Sequence, residues 1–214
     1  MLGTLVVDVD DTLLDTTARM QAIWGELLGR VVPREAVESK DLRQLFTEYA
    51  TGDQLREAEA YQRRFFRLLL CEEDKGFEFA ELDTPIPGAA EALRTLTDRH
   101  RIVYLTGRTE NTRAQTLESL RRHGFPVDAA ELLMVTTMDW HSGKANEARR
   151  RLLEKAAEGG DVSMVVDDYP GYFPLYVELG IPERVGLLKP GKYKPESYIE
   201  RGATRVIEAW GELL

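Results

Sequence analysis

The sequence predicts an α/β fold in which a three-layer core built on a parallel sheet carries an all-helical insertion. Two observations support this prediction. Apolar, strand-like runs alternate with helical patterns over residues 84–214, and strands joined by helical crossovers form parallel sheets. Between residues 15 and 83, by contrast, only helical periodicity is found. We therefore predict a core made of residues 1–14 and 84–214 and a helical insertion over residues 15–83.

The first strand of the core is the run Leu5-Val6-Val7, whose aliphatic and β-branched residues suit burial on both faces. Three carboxylates follow it, Asp8, Asp10 and Asp11. Because side chains alternate along a strand, Asp8 and Asp10 project to the same side, about 6–7 Å apart. Such a pair repels, and a divalent cation with oxygen ligands, preferably Mg²⁺, would relieve the repulsion. Alternatively, Asp10 or Asp11 simply caps the following turn.

The insertion consists of apolar stripes at helical spacing, over residues 20–28, 42–49 and 55–69. Gly29 is a plausible end for the first of these helices, because glycine readily adopts the left-handed conformation found there. The single cysteine, Cys71, follows an apolar leucine run. We predict that it is a buried apolar residue rather than a reactive thiol.

Strands and helices alternate in the returning core, after a turn signal at residues 84–88. Helices are predicted over residues 89–99, 112–123, 144–158 and 208–214, and strands over residues 102–105, 132–136, 162–166, 185–188 and 205–207. In open parallel sheets, ligands bind at the carboxyl ends of the strands. Polar residues at those ends are therefore the candidates for a functional site.

Three polar signals in the returning core lie where a site at this edge of the sheet needs them. Thr106 ends a strand, Lys144 opens a helix, and Asp167-Asp168 ends another strand. Each has an ordinary alternative when taken singly. A threonine before glycine is typical of a turn, a lysine at a helix start is usually solvated, and an acidic pair before Pro170 is typical of a helix cap. Their joint order along the chain favours the functional interpretation over these alternatives.

In sequence order, these residues resemble the four motifs of the haloacid dehalogenase-like phosphohydrolases. The family has Asp-x-Asp-x-Thr, a hydroxyl residue after a strand, a lysine at a helix start and a terminal acidic pair. The first motif matches Asp8-Val9-Asp10-Asp11-Thr12-Leu13. The resemblance covers the chain apart from the insertion, whose position matches the first cap site of the family. It implies a Rossmann-like core with a helical cap.

The resemblance also implies residue roles. Asp8 is expected to be the nucleophile that forms an aspartyl-phosphate, and Asp10 the acid and base that serves the leaving oxygen and then water. Substrate binding is implied for Thr106, Gly107, Arg108 and Lys144, with Thr106 and Lys144 also counted as catalytic because they hold the phosphoryl oxygens. The implied cofactor is Mg²⁺, with the ligands Asp8, Asp10 through its backbone carbonyl, Asp167 and Asp168.

Two departures qualify the resemblance. Asp11 stands where the family commonly has glycine, so the loop or its charge differs here. The adjacent pair Asp167-Asp168 and the segment Leu105-Thr106-Gly107-Arg108 resemble the phosphatase domains of polynucleotide end-processing enzymes. A net charge of −9 nevertheless disfavours a long polyanionic substrate. The presence of Asp10 argues against the dehalogenase branch, which by resemblance lacks an acid there.

We therefore predict a Mg²⁺-dependent phosphomonoester hydrolase that acts on a small phosphorylated metabolite. A nucleotide or polynucleotide 3′- or 5′-phosphatase, a phosphomutase and a non-catalytic phosphate-binding module are the alternatives. The insertion is expected to act as a lid over the site. Arg63, Arg64 or Arg67 would then line the cleft and favour an anionic substrate, although a solvated helix face is the simpler interpretation.

The sequence also bears on location and partners. No apolar run approaches the ~20 residues needed to span a bilayer, so no membrane partner is expected. The first strand begins almost at Met1, which leaves no room for a signal peptide. A soluble, cytoplasmic protein is the expectation. The oligomeric state is not predicted.

Overall fold

The computed structural model, which describes residues 2–189 and 191–214, separates into two units. The α/β unit contains the chain up to Leu14 and from Pro85 to Leu214. The helical unit contains Asp15–Thr84.

The centre of the α/β unit is a six-stranded sheet in which every neighbouring pair is parallel. The strands of the chain are β1 (Gly3–Val7), β2 (Leu14–Asp15), β3 (Thr84–Pro85), β4 (His100–Thr109), β5 (Ala130–Val135), β6 (Val162–Asp167), β7 (Glu183–Leu187) and β8 (Arg205–Ile207). The order across the sheet is β5-β4-β1-β6-β7-β8, whereas β2 and β3 form a separate two-stranded sheet. The predicted α/β class is confirmed.

Helices cover both faces of the sheet. They are α7 (Ala89–Leu96), α8 (Arg113–Arg122), α9 (Thr137–His141), α10 (Ala145–Glu158), α11 (Phe173–Glu178) and α12 (Pro195–Ile199). Leu5 and Val7 of β1 pack in one apolar cluster with Leu93, whereas Val6 packs in another with Leu153. This alternation confirms the three layers. The terminal helix predicted over 208–214 is instead a short 3₁₀ segment, Trp210–Leu213.

The register of the central strand brings the polar strand ends together. Val7 of β1 lies opposite Tyr104 of β4 and opposite Val166 of β6. The backbone N–H of Asp8 also donates to the carbonyl of Val166, at 3.0 Å. The residues that follow all three strands therefore meet at the carboxyl edge of the sheet. Here the chain carries most of the residues predicted to be functional.

The helical unit has its own apolar core. Its helices are α1 (Thr17–Leu28), α2 (Arg34–Ser39), α3 (Leu42–Tyr49), α4 (Gly52–Arg56), α5 (Ala58–Leu69) and α6 (Asp74–Ala80). Trp24 and Phe65 pack with their ring centroids 4.8 Å apart, and Leu45 and Leu68 complete the centre. Gly29 ends α1 in the left-handed conformation, as predicted. Cys71 is buried, also as predicted.

Charged side chains of the helical unit pair mainly at its surface. Arg64 Nη2 lies 2.9 Å from Glu26 Oε1, and Arg67 Nε lies 3.3 Å from Glu73 Oε1. Arg63 Nη1 lies 3.5 Å from a carboxylate oxygen of Glu59. Thus the three arginines that the sequence suggested for substrate recognition each face an acid of their own unit.

One pair in the helical unit is buried. Arg19 Nε lies 3.3 Å from Asp83 Oδ1, and their side chains are 5% and 0% exposed. Arg19 belongs to α1, near the start of the unit, and Asp83 lies near its end.

In the part of the chain that the structure describes, no helix combines the length and apolar character needed to cross a membrane.

Candidate active site

The first motif forms a tight loop directly after β1. The backbone N–H groups of Leu13 and Leu14 both donate to the carbonyl of Val9, at 2.9 and 3.0 Å. Asp11 adopts the left-handed conformation, with φ = 60°. This explains how a residue other than glycine occupies the turn, since aspartate tolerates that region better than most residues. The loop leaves Asp8 buried at the strand end.

A cluster of three buried carboxylates lies where β1 and β6 end. One oxygen from each of Asp8, Asp167 and Asp168 lies within 4.8 Å of the others. Thr12 ties the cluster to the first motif, because its hydroxyl accepts from the Asp168 N–H at 3.1 Å and donates to Asp168 Oδ1 at 3.4 Å. The N–H of Tyr169 donates to Asp167 Oδ1 at 2.8 Å.

A buried arginine, Arg149 of α10, joins two of these carboxylates. Its Nη1 donates to Asp8 Oδ1 at 3.1 Å, and its Nη2 donates to Asp167 Oδ2. Only 4% of the residue is exposed. The tyrosines of the segment after β6 surround the guanidinium: Tyr176 accepts from Nε at 3.1 Å and from Nη2 at 2.7 Å, and the ring centroid of Tyr172 lies 4.0 Å from Cζ.

Burial of these like charges raises the proton affinity of the cluster. The pKa of Asp8 is raised well above its usual value, chiefly by burial and then by Asp167, whereas Arg149 opposes the shift. The pKa of Asp168 is also raised well above its usual value, by burial first and then by Asp11. Burial lowers the pKa of Arg149, but the neighbouring carboxylates of Asp167 and Asp8 raise it well above its usual value, so the guanidinium stays charged. When all three acids are ionised, the cluster therefore has more negative charge than Arg149 balances.

The cluster fits a divalent cation in charge and in donor type. Three carboxylates and one guanidinium leave a formal charge of −2 among Asp8, Asp167, Asp168 and Arg149. Opposite oxygens around Mg²⁺ lie about 4.2 Å apart, twice the 2.0–2.1 Å bond length. The three carboxylate oxygens, all within 4.8 Å of one another, are therefore near the largest separation that one Mg²⁺ ion can bridge. Hard carboxylate oxygens are the ligands that Mg²⁺ prefers.

Asp10 and the end of β4 form a second polar group. Thr106 Oγ1 donates to Asp10 Oδ2 at 3.1 Å, and Arg108 Nη2 donates to Asp10 Oδ1 at 2.8 Å. Arg108 Nε also lies 3.1 and 3.2 Å from the two carboxylate oxygens. The N–H of Arg108 donates to Thr106 Oγ1 at 3.0 Å. These bonds bring three of the sequence-predicted residues together, with the Asp10 carboxylate bound by protein donors.

Gly107, in the middle of this segment, contacts a tryptophan. Its carbonyl accepts from Trp140 Nε1 at 2.8 Å. A Cβ at this position would lie 3.4 Å from Trp140 Cζ2, so glycine allows the indole to pack closely. Trp140, a half-buried residue of α9, therefore supports the segment that holds Asp10.

Lys144 lies outside both polar groups. It precedes α10 and is exposed, and among the described residues no hydrogen bond or ion pair forms to its ammonium group. Its predicted part in phosphoryl binding stays a prediction. In the structure, the cation that contacts Asp8 is Arg149, one helical turn and a half further along. Two other lysines contact the first motif: Lys189 pairs with Asp11 Oδ2, and Lys192 Nζ lies 3.9 Å from the same oxygen.

Sequence reasoning therefore missed Arg149 and Tyr176. Arg149 is the first of three consecutive arginines, and no short motif distinguishes it from the other two. Helical spacing does provide a signal, because Arg149 shares the apolar face of α10 with Leu153 and Ala156, at i+4 and i+7. A charged residue on a buried face needs a buried partner. For Tyr176 the sequence offers no comparable signal.

The model of the haloacid dehalogenase-like hydrolase family matches residues 2–170 of this chain. No curated protein sequence gives a significant match.

Solved structures with the same fold are numerous. One is a candidate phosphatase from Clostridium difficile (19% identity, TM-score 0.67, 99% of this chain and 96% of that one). Another is a hydrolase from Deinococcus radiodurans with bound phosphate and sodium (20%, TM-score 0.62, 99% and 93%). A third is a candidate β-phosphoglucomutase from Bacteroides vulgatus (18%, TM-score 0.59, 99% and 86%). At these identities the likeness concerns the fold alone.

Proposed function

Because this chain belongs to the haloacid dehalogenase-like hydrolases, we propose that it is a Mg²⁺-dependent phosphatase of a small phosphorylated metabolite in the cytoplasm. The observation that carries the proposal is the buried cluster of Asp8, Asp167 and Asp168 with its surplus negative charge. The surplus is destabilising unless a cation binds there. The bound phosphate of the Deinococcus radiodurans neighbour is consistent with this proposal.

The proposed reaction has two displacements at phosphorus. Asp8 Oδ1 is held by Arg149, so we assign Oδ2 as the attacking atom. In the first step a bond forms between Oδ2 and phosphorus, the bond to the substrate oxygen breaks, and Asp10 gives that oxygen a proton. In the second step Asp10 takes a proton from water, whose oxygen attacks phosphorus, and inorganic phosphate leaves Asp8.

The phosphoryl oxygens need donors, and we assign Thr106, Arg108 and Arg149 to them. Thr106 and Arg108 contact Asp10 in the free protein. Their transfer to the substrate would release the Asp10 carboxyl for the leaving oxygen. We assign Arg149 to this role beside Lys144, which the sequence suggested, because the guanidinium of Arg149 already contacts Asp8. Mg²⁺ bound by Asp8, Asp167 and Asp168 would reduce the repulsion between the anionic nucleophile and the substrate.

The test is release of phosphate from p-nitrophenyl phosphate, with Mg²⁺ and with EDTA. We expect turnover with Mg²⁺ and its loss in EDTA. The variant Asp8→Asn should lower kcat by about 10³-fold or more, because the amide cannot form the acyl phosphate. Asp98→Asn, at an exposed position of the same unit, is the matched control. Undiminished turnover in Asp8→Asn would refute the assigned nucleophile.

Three further measurements separate the alternative functions. A phosphomutase would isomerise a phosphorylated sugar in the presence of its bisphosphate rather than release phosphate. The similarity to the candidate β-phosphoglucomutase from Bacteroides vulgatus is the reason to test this alternative. A polynucleotide phosphatase would bind oligonucleotides with an affinity that falls steeply with salt. A phosphate-binding module would bind phosphate without turnover of any ester.

A further inference from the structure

We propose that Tyr176 is a positioning residue of this site, whose hydroxyl group fixes the guanidinium of Arg149 against Asp8 and Asp167. The inference rests on the proposed function, which supplies the reaction that the positioning serves. Tyr176 belongs to α11 and is fully buried. It does not contact the positions assigned to the phosphoryl group, so it acts through Arg149 and Asp167.

The hydrogen bonds of Tyr176 determine the orientation of its hydroxyl. The oxygen accepts from Arg149 Nε at 3.1 Å and from Arg149 Nη2 at 2.7 Å, and it donates to Asp167 Oδ2. A tyrosine hydroxyl has one proton to donate and two lone pairs that accept. All three are used here. Because both lone pairs face the guanidinium, the proton points at Asp167.

Arg149 is held correspondingly tightly. An arginine has five N–H donors in a rigid plane. Two of them bond Tyr176, one bonds Asp167 and one bonds Asp8, which accounts for four. The ring of Tyr172, 4.0 Å from Cζ, covers the plane. One N–H remains on Nη1, the nitrogen that contacts Asp8, and we assign it to a phosphoryl oxygen.

A neutral partner is well suited to this position. A carboxylate in place of Tyr176 would also accept from Arg149, but it would add a further negative charge to a cluster that already has too many. The phenol orients the arginine and leaves its positive charge available to Asp8 and the substrate. A shift of about 1 Å in such a group can cost about 10²-fold in rate.

Other buried tyrosines of the unit differ from Tyr176 in their partners. The hydroxyl of Tyr104 donates to the backbone carbonyl of Pro126 at 3.3 Å. The hydroxyl of Tyr198 lies 2.5 Å from the backbone carbonyl oxygen of Asp168 and 3.1 Å from that of Leu187. Both are fully buried, as Tyr176 is. Tyr104 therefore provides a control for the loss of a buried hydroxyl away from the charged cluster.

The experiment compares Tyr176→Phe with Tyr104→Phe. For Tyr176→Phe we expect kcat for p-nitrophenyl phosphate to fall by about 10–100-fold, and calorimetry without substrate to show Mg²⁺ binding weakened by a similar factor. KM should change by less than about threefold, because the binding groups remain. Tyr104→Phe should lower the thermal midpoint without altering kcat or the Kd for Mg²⁺.

A double-mutant cycle distinguishes positioning from general loss of structure. In an Arg149→Lys background, Tyr176→Phe should lower kcat by less than about threefold, because the guanidinium that it positions is gone. If Tyr176→Phe lowered kcat in the Arg149→Lys background by the same factor as in the wild type, the inference would be overturned. It would also be overturned if the kcat and Mg²⁺ affinity of Tyr176→Phe matched those of Tyr104→Phe. If the wild-type protein releases no phosphate, the proposed function fails by itself, and the calorimetric comparison still decides whether Tyr176 orders Asp167.

Discussion

In the α/β unit, charged side chains converge in the interior at one edge of the sheet, whereas in the helical unit they pair along the surface. Asp8 and Asp167 are buried, and each of them contacts the buried Arg149. Arg64 and Arg67 of the helical unit face acids across partly exposed surfaces. Burial makes electrostatic interactions stronger and makes imbalance expensive, whereas exposed pairs contribute little.

The comparison teaches where to look for chemistry in a chain that is 30% charged. Most charges are solvated or locally neutralised. A buried cluster with unequal numbers of acids and bases is uncommon, because it destabilises the fold unless a ligand compensates for it.

The largest effect should come from Arg149→Ala. It leaves two buried carboxylates, Asp8 and Asp167, without the guanidinium that contacts them. We expect kcat/KM to fall by about 10²–10³-fold, as for other groups that stabilise charge in a transition state. The control is Arg150→Ala, on the same helix, whose side chain is 36% exposed and pairs with Glu178. Equal losses in the two variants would remove the distinction between buried and exposed arginines.

The buried pair Arg19–Asp83 is the exception within the helical unit. Arg19→Met should lower the free energy of unfolding by about 3–5 kcal/mol, because it removes the guanidinium that lies beside the buried Asp83 carboxylate. Urea denaturation measures this effect. The double variant Arg19→Met/Asp83→Leu should recover most of the loss. A cost below about 1 kcal/mol for Arg19→Met would place this pair with the surface pairs.

The surplus of negative charge in the carboxylate cluster predicts that removing one of its acids stabilises the metal-free protein. Burial and Asp11 raise the pKa of Asp168 above its value of about 3.9 in the unfolded chain, so its contribution to stability is lost as pH rises through the folded-state pKa. In EDTA at pH 8, Asp168→Asn should therefore raise the free energy of unfolding by about 1 kcal/mol, or about 2–4 °C in Tm.

Two further measurements check that interpretation of Asp168→Asn. The gain should be smaller at pH 5, where protonation already relieves part of the repulsion. Mg²⁺ should stabilise the wild type more than the variant, since the variant has lost a ligand. A variant less stable than the wild type in EDTA at both pH values would show that the cluster carries no surplus charge.

The smallest effect is expected for Arg67→Ala. The pair with Glu73 is partly exposed, so its loss should change the free energy of unfolding by less than about 0.5 kcal/mol. Against a panel of phosphorylated metabolites, kcat/KM should change by less than about twofold. A substrate-dependent loss would instead support the sequence-based hypothesis that this arginine recognises the substrate.

Much of the fold was predictable from the sequence because local patterns encode it. The β-branched run before Asp8 and the alternation of strands and helices after residue 84 sufficed for a parallel sheet. Short helices such as Arg34–Ser39 and Asp74–Ala80 were not predicted, because six or seven residues do not establish a period. The hydroxyl and acidic strand ends were predictable from topology.

The contacts between particular side chains of the site were harder to predict from the sequence. The register that sets Val7 opposite Val166, and hence Asp8 beside Asp167, depends on packing between distant segments. The same holds for Arg149, which reaches Asp8 across 141 positions of sequence. Only the apolar stripe of α10 hints that this arginine points inward. The bond between Tyr176 and the guanidinium is a tertiary contact with no local precursor in the sequence.

The hydrogen bond from Trp140 to Gly107 gives the protein an intrinsic optical probe. Of the three tryptophans, Trp24 is packed in the helical unit and Trp210 is fully buried, whereas Trp140 is half-exposed beside the segment that carries Thr106 and Arg108. When those two donors move from Asp10 to a phosphoryl group, the indole emission should change with them. Arrival of an unlabelled ligand can then be followed by stopped-flow fluorescence, without a chromogenic ester.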